Sequence, residues 1–369
     1  MLRTFVALLS LLLLLTMGLP AGAQVKPRGP VRVGVAGLTH THVHGILGRA
    51  KRGDIEIVGI AEPNRALAER YAKQYGINMS LVYSSLDEML KKTKPEAVTA
   101  FGSIYEHLAV VEACAPRGIH VMVEKPLAVS VDHARRMAAL ATKHHIHLLT
   151  NYETTWYGSN RRAYELVDQE KAIGEIRKVV VHDGHQGPQE IGVNKEFLDW
   201  LTDPVQNGGG ALVDFGCYGA DLLTWLMHGA RPQSVTAVTR QLKPAVYPKV
   251  DDDATILVNY PGAEGIIQAS WNWPYARKDM EIYGQTGAVF ALDGSHLRVR
   301  LSEKQPAQDQ MAPAPPAPYD EPFVYLAAVV RGTAPEDVLS ALPTNLVVVE
   351  ILEAAKQSAK EGKTVYFSK

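Results

Sequence analysis

Apolar positions in the first part of the chain fall into short runs separated by amphipathic stretches. Val31-Arg32-Val33-Gly34-Val35-Ala36-Gly37 is an extended apolar run ending in glycine, and a turn then leads into a helical pattern through Ile46 and Leu47. Ile55 to Ile60 predicts a second strand, closing on Ala61-Glu62-Pro63, and Arg65 to Tyr75 a helix rich in Ala, Glu and Arg. Ala97 to Phe101 predicts a third strand and His107 to Ala115 a helix. Val121–Val123, a helix over Val131–His144 and a strand over Ile146–Thr150 complete the series. Strands alternating with helices at this pace imply right-handed βαβ units and a parallel sheet.

After Asn151 the pattern changes. Tyr157 to Lys171 reads as a helix, and Ile173-Gly174-Glu175-Ile176 as a turn into a strand through Val181. A Gly-rich segment from Asn207 to Asp221 then enters a helix that continues through Trp225; Asp214, Tyr218 and Asp221 lie four and three apart, on one helical face. Alternation over Ser234–Arg240, Ala254–Tyr260, Gly265–Ser270, Asp279–Gly284 and Ala288–Ala291 predicts a mostly antiparallel sheet. Pro306 to Pro318 reads as a surface loop, and Pro322–Arg331 and Asn345–Lys360 as closing helices. The expected architecture is α/β over residues 30–150, then α+β with an open sheet over residues 151–369.

Composition changes this picture little. With 46% hydrophobic residues, 21% charged residues and a formal net charge of −1, the chain has the balance of a globular protein. It offers no electrostatic reason to expect nucleic acid or an anionic membrane surface. The two cysteines, Cys114 and Cys217, form no metal or redox spacing. The N-terminus stands apart: Met1-Leu2-Arg3, the apolar run Val6 to Leu15 and Ala21-Gly22-Ala23 read as a Sec-type signal peptide over residues 1–23, so an exported protein is expected, with no stable membrane insertion after cleavage.

Candidate chemistry gathers at strand ends, where open parallel sheets bind ligands. Val121-Met122-Val123-Glu124-Lys125-Pro126 places a lysine in a proline-stiffened turn, where it can carry a proton if its environment tunes it. The first strand–turn–helix, Gly37-Leu38-Thr39-His40-Thr41-His42, sits where a dinucleotide pyrophosphate binds but keeps one glycine of three. Glu62 ends the second strand where an acid holds the adenosine ribose hydroxyls, which favours NAD over NADP. His40, His42 and His44 alternate, and His182 and His185 flank Asp183. Three histidines spread over a strand-to-helix passage are expected to diverge, so no metal is expected.

The parallel half, Glu124-Lys125-Pro126, the Ile173–Ile176 turn and the Gly208–Asp221 segment together resemble the Gfo/Idh/MocA oxidoreductases, across residues 30–369. The resemblance implies an N-terminal Rossmann domain for NAD(P) and a C-terminal substrate and oligomerisation domain, in a homo-oligomer that acts on a carbohydrate. It implies that Lys125 is the active-site lysine and that Asp214 and Tyr218 complete the catalytic group. Asp221 would then meet substrate hydroxyls, and His107 is the histidine after the third strand. Gly37, Thr39, His40 and Glu62 at the ends of the first two strands and in the turn after the first would face the cofactor, with Ser103, His107, Glu124 and Lys125 beyond the later ones. Three departures stand out: Thr39 and His42 in place of glycines, Gly102-Ser103-Ile104 where Thr-Pro-Asn is usual, and Asn151-Tyr152-Glu153-Thr154-Thr155 without the usual arginine.

Hydride transfer from a sugar carbon needs a base for the hydroxyl proton. Tyr218 is the expected carrier, its pKa lowered by the Lys125 ammonium, with Asp214 orienting the pair. Trp156, Trp271 and Trp273 are candidate platforms for sugar faces. Three functions remain open: net NAD-dependent oxidation of a sugar, polyol or glycoside hydroxyl; redox-neutral glycoside hydrolysis with retained NAD; and sugar binding without catalysis.

Overall fold

The structure, a computed structural model, describes residues 29–49 and 52–368. The leader expected over residues 1–23 lies outside the described residues. Six parallel strands form the first sheet: β1 (Val31–Ala36), β2 (Ile55–Ala61), β3 (Val82–Tyr83), β4 (Ala97–Ala100), β5 (His120–Glu124) and β6 (Leu148–Asn151). Their order is β3-β2-β1-β4-β5-β6, so the direction of winding reverses between β1 and β4. That switch point opens a crevice at the strands' carboxyl ends, where Gly37 and Phe101 leave the sheet. The strands carry apolar side chains on both faces because helices cover both: Val33 and Val35 are fully buried.

The covering helices are α1 (Val43–Leu47), α2 (Arg65–Tyr75), α3 (Leu86–Thr93), α4 (His107–Cys114) and α5 (Val131–His144). Local chemistry sets their ends: Asn64 caps Leu67 N, Ser85 caps Glu88 N and Ser130 caps His133 N. Helix α3 was not expected. It is short, but Met89 and Leu90 bury one face of it against the sheet.

Nine strands form the second sheet, in the order β14-β13-β12-β11-β7-β10-β9-β8-β15. They are β7 (Ile176–Gly184), β8 (Ser234–Arg240), β9 (Asp253–Tyr260), β10 (Ala263–Ser270), β11 (Arg277–Gly284), β12 (Ala288–Ala291), β13 (His296–Arg300), β14 (Gln308–Met311) and β15 (Val365–Tyr366). Every pairing is antiparallel except that of β7 with β10. Strand β9 buries Ala254, Ile256, Val258 and Tyr260 and leaves the residues between them half-exposed, the pattern of a sheet covered on one face. The helices of this half are α6 (Gly158–Tyr164), α7 (Lys195–Leu201), α8 (Ala211–Asp214), α9 (Gly216–Leu226), α10 (Pro322–Val330) and α11 (Leu342–Glu361). Helix α9 is buried along its whole length, and its core cluster includes residues of α11 and of β7–β10.

Three expectations are corrected. The segment Pro306–Pro318 contains edge strand β14, paired with β13. The helix from Tyr157 ends at Tyr164 and passes into a π-helical turn over Glu165–Gln169. The single helix expected from Asp214 is two, broken at Phe215. Helix α10 returns to the first half: Phe323, Tyr325 and Leu326 join the core of β1, α1 and α2. Among the described residues, no helix is long and apolar enough to cross a membrane.

Candidate active site

Lys125 leaves β5 at the crevice and is 6% exposed. Its ammonium donates to the Asp214 carboxylate (Nζ–Oδ1 2.5 Å) and to the Asp214 carbonyl (2.8 Å). The break at Phe215 exposes that carbonyl for the lysine. Burial opposes charge on both partners, but their mutual attraction outweighs it: Asp214 is held below, and Lys125 above, its ordinary pKa. Trp271 Nε1–H donates to the other Asp214 oxygen at 2.9 Å. The carboxylate is therefore fixed on both sides.

The Tyr218 ring lies against this pair. Lys125 Nζ is 5.1 Å from its centroid and Lys278 Nζ 4.8 Å. The proximity of Lys125 to Tyr218 was foreseen, but its effect on the phenol was not. Tyr218 is 1% exposed. Burial, with Glu153 and Asp214 adding negative charge, pushes its pKa well above 10, the reverse of the lowering expected. The ammonium groups face the ring rather than the hydroxyl, so they leave the phenolate uncompensated.

Lys278, Glu153, His185 and Asp183 are site residues that sequence reasoning missed as a group. Lys278 pairs with Glu153, which also accepts the Tyr157 hydroxyl at 2.6 Å. Glu153, Tyr157, His185, Arg277, Lys278 and Asp279 line a cavity of about 440 Å³ beside Tyr218. Burial holds His185 neutral, with a pKa of about 4. Asp183 is wholly buried with both oxygens unpartnered, and burial drives its pKa well up. Its place at the end of β7, opposite Lys278 on β11, was the available signal.

Other candidates lie elsewhere or do other work. Asp221 is wholly buried with both oxygens unpartnered; it keeps its i+3 relation to Tyr218 on α9, but the break at Phe215 removes the shared helical face with Asp214. Trp271 is fully buried and serves Asp214, so it is not a sugar platform; Trp156 is half-buried, donates to Asn151 Oδ1 (3.1 Å) and packs on Tyr325. Trp273 stacks with Arg277 instead. Ser103 sits in a capping box with Glu106, its hydroxyl 2.8 Å from Gln206 Oε1, which leaves it turned from the crevice.

The histidines part differently from expectation. His44 turns away to the Tyr75 hydroxyl (2.7 Å), but His40 and His42 converge, with ring centroids 4.5 Å apart. The reason is a turn before α1: His42 N–H donates to His40 Nδ1 (3.1 Å), and His42 Nδ1 lies 2.7 Å from Glu124 Oε2. The donor atoms of His40, His42 and Glu124 fall within 4.8 Å of one another. Both of the closest contacts are hydrogen bonds, and Asn151 Nδ2 donates to the second Glu124 oxygen at 2.8 Å.

At the other end of the crevice, Gly37, Thr39, Glu62, Ser85, Gly102 and His107 line a cavity of about 320 Å³. Gly37 has φ +80°, and a Cβ there would stand 2.8 Å from Gly102 N, so glycine is required. Glu62 accepts from Leu38 N and Asn64 N, each at 2.8 Å. His107 Nδ1 bonds Leu127 O at 3.1 Å, and its buried Nε2 has no partner.

Residues 31–152 match the oxidoreductase family with an NAD-binding Rossmann fold, and residues 160–290 match the Gfo/Idh/MocA C-terminal domain. The chain belongs to the Gfo/Idh/MocA oxidoreductase family. It is 25% identical over 289 residues to trans-1,2-dihydrobenzene-1,2-diol dehydrogenase of Sus scrofa, covering 78% of this chain and 80% of the relative. The fold is that of an inositol dehydrogenase homolog from Azotobacter vinelandii complexed with NAD+ (TM-score 0.79, 19% identity, 92% of this chain and 97% of that one). It is equally that of aldose-aldose oxidoreductase from Caulobacter crescentus complexed with glycerol (TM-score 0.77, 22% identity, 92% and 100%).

The crevice of this Gfo/Idh/MocA chain fits NAD. It has a glycine-lined floor, an acid at the end of β2 and an orphaned acceptor, His107 Nε2, against the cavity wall. Glu62 has two oxygens committed to backbone amides, but each carboxylate oxygen can accept a second bond.

Proposed function

We propose that this NAD-binding oxidoreductase acts on a hydroxyl-bearing carbon of an uncharged sugar, polyol or glycoside in the cleft beside Lys125. The carrying observation is the Lys125–Asp214 pair, fixed by Trp271 and set against Tyr218. Gly37, Thr39, Glu62 and His107 would hold NAD, which supplies a hydride acceptor when bound. The lack of charge in the substrate rests on the pairing of cations around the cleft. Lys125 has Asp214, Lys278 has Glu153, and Arg277 has Asp279 at 2.8 Å through two bonds. A phosphate or carboxylate substrate would have to compete with these partners.

At rest the site holds an ammonium and a neutral phenol, and both are proton donors. For oxidation, Lys125 would have to meet the substrate in its neutral form, its own proton already lost, and take the hydroxyl proton to re-form the ammonium that Asp214 stabilises. For reduction, Lys125 gives its proton to the carbonyl oxygen. Tyr218 donates a hydrogen bond and stays protonated throughout. Trp271 keeps the carboxylate aligned, and the buried surroundings exclude water that would compete for the proton.

A second reading has its own support. His42 is half-exposed, oriented by Glu124, and lies near enough to Glu153 to influence its charge. Net oxidation has no need of a second base at the cleft, whereas a cycle that oxidises, eliminates, adds water and reduces does need one. Export by a leader over residues 1–23 and assembly as a homo-oligomer belong to the same proposal. The experiment is to denature natively purified exported protein, quantify released NAD(H) by mass spectrometry, and then assay NADH formation with neutral sugars and glycosides. Absence of bound or bindable NAD overturns the function. Bound NAD with glycoside cleavage but no net NADH selects the second reading.

A further inference from the structure

We infer that residues 187–207, which carry α7, are a working part of the cofactor site: they fix the dinucleotide loop in place of its missing glycines and must lift for NAD to pass. The inference rests on the NAD-binding reading. A dinucleotide reaching from Glu62 at the end of β2 to Lys125 at the end of β5 has to cross the loop after β1, which lies between them in the sheet. That loop is roofed by the second half of the chain. The Phe197 ring lies 4.6 Å and the Trp200 ring 5.7 Å from the ring of His40, which is 2% exposed. Trp200 Nε1–H donates to Thr39 Oγ1 at 3.1 Å, and Thr39 stands where the family has its second glycine.

The roof is tied down on both sides. Asn194 Nδ2 donates to the Tyr71 hydroxyl (2.8 Å), and Arg70 pairs with Glu196 (2.9 Å), both on α2. Across the crevice, Gln206 Oε1 accepts from Ser103 (2.8 Å) and the Gln206 carbonyl accepts from Tyr105 N (3.0 Å). Gly208, with φ +83°, ends the segment at a backbone geometry that other residues strain to adopt, a natural pivot. A glycine-rich loop owes its shape to its own backbone. This loop has side chains instead, and their positions depend on α7. Trp200 is thus a positioning residue for the cofactor loop, supplied by the other domain, and departure of the cofactor requires at least these ties to break.

The test measures NADH exchange by stopped-flow fluorescence, with dissociation chased by excess NAD+, in the full mature chain. The double variant Tyr71→Phe/Glu196→Gln cuts the outer ties without touching the loop, and it leaves Asn194 to cap α7 through Phe197 N. Trp200→Phe, a milder change, keeps the ring and removes its bond to Thr39. Each is expected to raise both the association and dissociation rates, by about tenfold for the loss of one to two hydrogen bonds, with Kd changing by less than about threefold. Unchanged rates in a variant that melts like the wild type overturn the gate. So does a change confined to dissociation, which would make α7 a wall of the site rather than its door. If the wild-type chain binds no NADH at all, the NAD reading itself fails.

Discussion

Trp271 donates its indole N–H to Asp214 Oδ2 at 2.9 Å, while the other oxygen of that carboxylate holds the Lys125 ammonium at 2.5 Å. A fully buried tryptophan far from the crevice in sequence therefore sets the proton partner of the site lysine. A buried ion pair is tolerable only when its remaining hydrogen-bonding capacity is filled, and Trp271 fills it. Trp271→Phe keeps the ring against Tyr247 but frees one oxygen. The expected result is a kcat lowered about tenfold with KM nearly unchanged, and a loss of about 1–2 kcal/mol in unfolding free energy. Lys125→Met is expected to lower kcat by on the order of 10²–10⁴. Steady-state kinetics and denaturant melts check both.

Tyr218 divides the two accounts of the proton. If it were a phenolate base, Tyr218→Phe would abolish oxidation. With its pKa driven up by burial and by Glu153 and Asp214, it works as a hydrogen-bond donor. Tyr218→Phe is then expected to reduce kcat by only about tenfold, the weight of one hydrogen bond, and to leave the shape of the pH–rate profile intact. A loss as large as that of Lys125→Met would return the proton to Tyr218.

Much of this site was legible along the chain. Lys125 announced itself as a lysine at a strand end before proline, and Asp214 and Tyr218 by a glycine-rich entry to a helix. What could not be read was pairing at long range. Lys278 and Glu153 are 125 residues apart and meet only because β11 pairs with β7 beside the turn after β6. The helical face expected to join Asp214 with Asp221 is absent because periodicity assumes an unbroken helix, and Phe215 breaks it. The His40–His42 convergence was missed because Glu124, which draws His42 in, comes 82 residues later. The fold was more legible than the site because strand and helix periods are local, while β13, β14 and α3 were too short or too polar to register.

Glu62 offers a third test. Both its oxygens hold backbone amides of the crevice, Leu38 N and Asn64 N. Glu62→Gln replaces one acceptor with a donor facing an amide N–H. The expected result is a rise of about tenfold or more in Kd for NAD, from a disturbed loop and a lost ribose acceptor together. Isothermal titration measures it, and an unchanged Kd would remove Glu62 from the cofactor site.

The buried histidines give the pH dependence of stability. Burial lowers both His107 and His185 to about 4, from an ordinary 6.5. A depressed histidine pKa means that the unfolded chain binds the proton more readily than the folded one. Stability is therefore unaffected above about pH 6.5, falls as pH drops below that value, and levels off once pH is below the folded pKa near 4. For wholly buried His107 the difference amounts to about 3 kcal/mol at the acid end. Asp214 acts in the same direction at lower pH, since its depressed pKa makes its contribution vanish as the carboxylate is protonated. His107→Gln removes the titration at one position and keeps a polar group near Leu127 O. It is expected to be less stable than the wild type at pH 7.5, with the gap closing toward pH 4.5 in urea melts. A gap that stays constant with pH would mean that His107 titrates alike in the folded and the unfolded chain, and a gap that widens toward acid would mean that the folded state holds the proton on His107, making its Nε2 a donor to the cofactor rather than an acceptor.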